Sequence, residues 1–149
     1  MESEGRSDVA AVRARVEQLL KQMFDTEELP MDQYGDWGPF PTGTTGIFCR
    51  LGQPAPQAPP VFSVFSAVLI EVPKSPELLD FLNEINVNTS FLRAYWRDET
   101  VVFSAELLAQ TMDPEELLIA SAQVANAADS YDEVLRERFG GSQPFVDSS

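Results

Sequence analysis

The run VFSVFSAVLIEV at positions 61–72 constrains this chain more than any other stretch. One alternating set reads Phe62, Val64, Ser66, Val68, Ile70 and Val72. The other reads Val61, Ser63, Phe65, Ala67, Leu69 and Glu71. Both sets are largely apolar, so a strand built from them belongs inside a sheet, with something covering part of each face. Pro73 ends it, because proline has no N–H to continue a ladder.

The flanking segments supply that sheet. Thr44 to Leu51 alternates as a strand, with Ile47, Cys49 and Leu51 on one side and Phe48 and Arg50 on the other. Positions 52–60 carry four prolines and form a loop of hairpin length. Segments 91–97 and 100–106 read as two strands joined by a tight turn at Asp98-Glu99. Leu92, Ala94 and Trp96 then share a side with Val101, Phe103 and Ala105, and Arg93, Tyr95 and Arg97 share the other with Val102, Ser104 and Glu106. Positions 31–45, rich in glycine, proline and aromatics, are a loop with room for a short irregular strand.

Three helices are expected. Val9, Val12, Val16, Leu19 and Met23 recur at helical spacing over 8–24, capped by Ser7 or Asp8. Ser75-Pro76-Glu77 opens a second helix with a cap, a first-turn proline and an early acid. It ends near Asn86 to Asn88, where asparagines cap the helix and tie it to the next strand. Asp113-Pro114-Glu115-Glu116 opens the third, which runs to about Arg138 and stops at Gly140-Gly141. The class is therefore α+β: an antiparallel sheet of about five strands packed with three helices, in the order α-β-β-(β)-α-β-β-α. A chain of 149 residues suits one domain, placed at 7–141 between loose tails at 1–6 and 142–149.

The chemistry is bounded by what is missing. There is no histidine, which removes the commonest general base and metal ligand. Cys49 is the single cysteine and sits in an apolar strand, so it reads as a buried, inert thiol. No Gly-rich phosphate-binding pattern occurs, and the acidic pairs fall where helix caps or solvated faces explain them. No catalytic residue, cofactor or metal is assigned. The formal net charge of -14 repels nucleic acid and anionic membranes, and a basic partner or simple solubility fits it better. No run reaches the roughly 18 apolar residues of a membrane span, and MESEGRSD lacks the order of a signal peptide, so the chain is expected in the cytoplasm.

Arginine placement is the positive signal. Arg50, Arg93 and Arg97 fall on strands and by alternation share a sheet side with Phe48 and Tyr95, and with Phe65 and Leu69 from the long run. Aromatic residues and arginine are enriched at protein interfaces. These seven residues are the candidate partner-binding set, unless that side is an ordinary solvated face or lies under the first helix.

The segment SPELLDFLNEIN at 75–86 resembles the LLxFLNxxN helix of YbjN-type domains, which are similar to the small acidic chaperones of type III secretion. Positions 101–108 with 112–117, then 127–132 with 138–141, look like the family's last strand, final helix and stop. The resemblance spans about half the chain, residues 72–141. It implies a helix-backed antiparallel sheet in a bacterial protein without enzymatic activity, often dimeric, that holds an extended client. The leading expectation is a protein- or peptide-binding, chaperone-like module, its client at a sheet edge or across the arginine face. The rival is a regulatory or dimerisation domain acting on a signalling or transcription protein.

Overall fold

The computed structural model describes residues 2–42 and 45–144. The elements are α1 (Glu2–Met23), β1 (Trp37–Thr42), β2 (Thr45–Gly52), β3 (Val61–Leu69), α2 (Pro76–Asn88), β4 (Arg93–Arg97), β5 (Thr100–Leu108) and α3 (Pro114–Phe139). The five strands form one antiparallel sheet in the order β1-β2-β3-β5-β4. The class is α+β with three helices, as the sequence pattern predicts, and the loop at 31–45 does hold a strand. None of the described helices is long and apolar enough to cross a membrane.

The long apolar run is the central strand, as expected, but helices cover one face alone: Phe62, Val64 and Val68 are buried, whereas Val61, Ser63, Phe65 and Ala67 are half-buried. The strand is shorter than expected. A bulge between Ala67 and Leu69 shifts the pairing with β5, and Glu71 turns out of the extended region at φ 57°. Ile70 pairs beyond the sheet, exchanging backbone hydrogen bonds of 2.8 Å with Ser142. Gly141 permits this return: at φ +83° a Cβ there would stand 2.7 Å from the Ile70 carbonyl oxygen. Backbone pairing thus reaches Ser142, within the segment expected to be a tail. α1 likewise begins at Glu2 rather than at the Ser7 or Asp8 cap. The rest of the expected C-terminal tail, 145–149, lies outside the described residues.

All three helices lie on one side of the sheet. α3 crosses β2, β3 and β5, α2 lies beside β4, and α1 meets α3. α1 also reaches the β1 end of the same side: Phe24 stacks on Phe40 at 3.8 Å, and the Arg13 guanidinium lies 4.5 Å from the Trp37 ring. Between the layers Trp37, Ile47, Cys49, Phe62, Val64, Phe103, Leu78, Leu117 and Leu135 are fully buried or nearly so. Each of the larger of these side chains contributes about 1.5–3 kcal/mol of transfer free energy.

The starts of α2 and α3 follow the caps read from the sequence. Ser75 Oγ accepts from the Leu78 N–H at 3.1 Å. Asp113 accepts from the Glu116 N–H at 2.7 Å, and the Glu116 carboxylate accepts from the Asp113 N–H at 3.3 Å, closing a capping box. Arg15 on α1 donates to the carbonyls of Ala109, Gln110 and Met112, pinning the connection between β5 and α3.

Candidate functional site

With the helices on one side, the other side of the sheet stands open. Strand register arranges its side chains in three rows. Phe48, Phe65, Ser104 and Arg93 face each other across β2, β3, β5 and β4. Arg50, Ser63 and Glu106 form a second row, and Ala67, Val102 and Tyr95 a third. Six of the seven sequence-predicted residues are therefore strand residues of this one face: Phe48, Arg50, Phe65, Arg93, Tyr95 and Arg97.

Leu69 is the exception and is corrected. Strict alternation puts it on the open face, but the bulge after Ala67 rotates it to pair with Val101, where it is completely buried on the helix side. A single extra residue reverses the facing of everything after it.

The aromatics and arginines of the open face are organised in two clusters. Phe48 and Phe65 stack at 5.7 Å, and the Arg50 guanidinium lies 4.9 Å from the Phe65 ring. Arg93 lies 4.9 Å from the Tyr95 ring, pairs with Glu106 at 2.6 Å and reaches Ser104 Oγ at 3.4 Å. Between the clusters the floor is made of small side chains, Ser63, Ala67, Val102 and Ser104.

Asp36 is a partner of this face that the sequence pattern did not reveal. Arg50 donates to it through Nε and Nη2, both at 2.8 Å. The Asp36 side chain is 7% exposed while that of Arg50 is 58% exposed, so the carboxylate lies beneath and the cation above. The hydrogen bond to Asp36 holds the Arg50 guanidinium above its usual pKa. No spacing signal announces Asp36, since it enters through a β1–β2 register that is itself irregular between Trp37 and Phe40.

Cys49 points the other way, into the core. Burial, and then the nearby Asp36 charge, push its thiol well above the ordinary range, so it is held neutral. Among the described residues no cluster of acids and cysteine is arranged to hold a metal ion.

Both edges of the sheet are in part occupied or short of donors. At β4, Asn86 of α2 hydrogen-bonds both backbone groups of Ala94. At β1, Pro39 and Pro41 lack an N–H. Met31 bridges Trp37, and the Gly38 N–H donates to the Pro30 carbonyl at 2.8 Å.

The fold is shared with chains of two solved complexes. The crystal structure of the ExsC–ExsE complex contains a chain that matches with a TM-score of 0.61 at 15% identity, covering 82% of this chain and 94% of that one. The Yersinia pestis type III secretion chaperone SycH, in complex with a stable fragment of YscM2, matches with a TM-score of 0.51 at 12% identity, covering 76% and 93%. No curated protein sequence matches. Residues 10–147 match the family described as T3SS (YopN, CesT) and YbjN peptide-binding chaperone 1. A match over nearly the whole chain, on the helix-backed sheet just described, makes this protein a member of that family of peptide-binding chaperones.

Proposed function

We propose that the chain holds a segment of a client protein on the open face of its sheet and performs no catalysis on it. One observation carries this reading: three helices cover a single side of the sheet and leave Phe48, Phe65, Tyr95 and three arginines together on the other. Half-buried aromatics beside guanidinium groups are what partner surfaces use, because flat rings supply apolar contact area and guanidinium groups supply directed donors. Both similar structures are complexes, and SycH is named as a chaperone bound to a fragment of another protein. Residues 7–141 act as the single binding domain in this reading. The net charge of -14 disfavours nucleic acid and anionic lipid, so the client is a protein, met in the cytoplasm.

Affinity capture from the host's lysate tests this, with the parent beside Phe65→Asp and Tyr95→Asp and a folding check on each. Loss of the same partner from both folded variants supports the face. Retention of every partner by both contradicts it.

A second copy of the chain is a further partner, favoured by a different surface. Phe91 is 82% exposed, held at φ 64°, and Val87 nearby on α2 is 73% exposed. Beside them a cleft of about 400 Å³ is lined by Leu92, Ile119, Ala122, Ala127 and Tyr131 among others, with no charged side chain. In so acidic a chain, a charge-free patch is where two copies approach with least repulsion. Sedimentation equilibrium of the parent and Phe91→Asp tests this: a dimer that the variant loses supports it, and a monomeric parent contradicts it.

A further inference from the structure

How a segment lies on the open face depends on whether the sheet can accept another strand. At the β4 edge, the Asn86 amide donates to the Ala94 carbonyl at 2.9 Å and accepts from the Ala94 N–H at 2.7 Å. It takes the hydrogen bonds that an added strand would make there. At the β1 edge, Pro39 and Pro41 offer no donors, and the chain's own Pro30 and Met31 pair with Gly38 and Trp37. Natural sheets close their edges with such devices against strand addition.

The face itself is chemically selective. The chain carries 10 basic and 24 acidic residues, yet three of its arginines stand on this face. Their side chains are 58%, 61% and 80% exposed for Arg50, Arg93 and Arg97. Asp36 is buried under Arg50, so the outermost charge at that end is cationic. A guanidinium has five N–H donors, and Arg50 gives two of its groups to Asp36, leaving others directed away from it. Among the described residues Arg97 pairs with the exposed Asp98 at 3.6 Å, a contact that water readily replaces. The face therefore offers two clusters of rings and cations, Phe48, Phe65 and Arg50 on one side and Tyr95, Arg93 and Arg97 on the other, with the Glu106 carboxylate held against Arg93.

We infer that the client segment is read by its side chains, laid across the open face with apolar residues over Phe48, Phe65 and Tyr95 and carboxylates meeting Arg50 and Arg97, and is not added to the sheet as a sixth strand. This deepens the peptide-binding reading and rests on it.

The test uses the full chain, isotope-labelled, titrated with short synthetic peptides in which aromatic or aliphatic residues alternate with polar ones. The polar positions are Glu, Gln or Lys, and a fourth peptide is the Glu version methylated on alternate backbone nitrogens. The Glu peptide is expected to bind about tenfold tighter than the Lys peptide, the equivalent of one good charge-assisted contact. Backbone methylation should change its dissociation constant by less than about threefold, since ladder hydrogen bonds are not used. Arg97→Gln should narrow the advantage of the Glu peptide over the Gln peptide, with the remainder owed to Arg50, and amide shifts should cluster on Phe48, Phe65 and Tyr95. Binding abolished by methylation, with shifts at Ala94 and Trp96 or at Phe40, overturns this inference and leaves the peptide-binding reading standing. Tighter binding of the Lys peptide also overturns it. Failure of every peptide to bind removes the peptide-binding reading and the inference together.

Discussion

Asn86 serves Ala94 as a neighbouring strand would, with one side-chain amide filling both the donor and the acceptor role at the sheet edge. The same turn of α2 is held by Asn88, which donates to the Glu84 carbonyl at 2.9 Å, and by Thr89, which donates to the Ile85 carbonyl at 2.7 Å. The end of the helix is thereby fixed against β4, and the edge is not left as a template for association.

Replacing Asn86 with Ala leaves two part-buried backbone groups without their partner. The expected cost is about 1–3 kcal/mol, measured by urea unfolding, with faster hydrogen exchange at the Ala94 amide. An unchanged exchange rate would show that the amide does not protect the edge.

Two adjacent glycines separate backbone strain from steric conflict. Gly140 and Gly141 are both at positive φ, but only Gly141 faces the Ile70 carbonyl, whereas a Cβ at Gly140 meets nothing within 4 Å. Both alanine variants should lose stability, on the order of 1–3 kcal/mol for the φ alone, and Gly141→Ala should lose more. Equal losses would mean that the Ile70–Ser142 bridge opens at no cost.

Cys49 gives a pH prediction. Its folded pKa is raised, so the folded state keeps the proton where the unfolded thiol, at about 8.5, gives it up. Stability from this group is complete below that value and falls as pH rises above it. Unfolding free energy should therefore decline more steeply at alkaline pH for the parent than for Cys49→Ala. In the folded protein the thiol should resist alkylation, and it should react after denaturation.

Arg50 and Asp36 should be coupled. With Arg50 half exposed, the pair is worth about 1–2 kcal/mol in a double-mutant cycle of Arg50→Ala and Asp36→Ala, the range of a hydrogen bond to a charged group reduced by solvent. Arg50→Ala alone should cost more than the pair is worth, because it strands a buried carboxylate. Strict additivity would contradict the geometry.

Much of this fold is legible in the sequence where one physical rule acts alone. The two apolar faces of the run at 61–72 identify the central strand, although only the face of Phe62, Val64 and Val68 is fully buried and that of Val61, Phe65 and Ala67 is half-buried. Ser75 and Asp113 are cap residues before first-turn prolines, and both helices begin there. The two-residue turn at Asp98-Glu99 sets a register that places Ala94 against Phe103 and Trp96 against Val101, as alternation predicts. Asparagine at the end of α2 ties it to the next strand as expected, but the C-cap is Thr89, in extended conformation.

Legibility fails where one residue changes the count. The bulge after Ala67 has no marker such as glycine, so alternation carries Leu69 to the wrong face. β1 is interrupted by prolines and an irregular register, which hides both the strand and the pairing of Asp36 with Arg50. Exposed Phe91 lies just before a strand and reads as its first residue until its positive φ is seen.

The central claim is that the client lies on the open face. Its most direct test is to place a photo-crosslinking amino acid at Phe48, Tyr95 or Leu118 in turn and irradiate the folded protein in its host's lysate. Leu118 lies on α3, exposed and away from the sheet's open side. The account predicts a common client crosslinked from Phe48 and Tyr95 and absent from Leu118. A client crosslinked from Leu118 and from neither sheet position would contradict it.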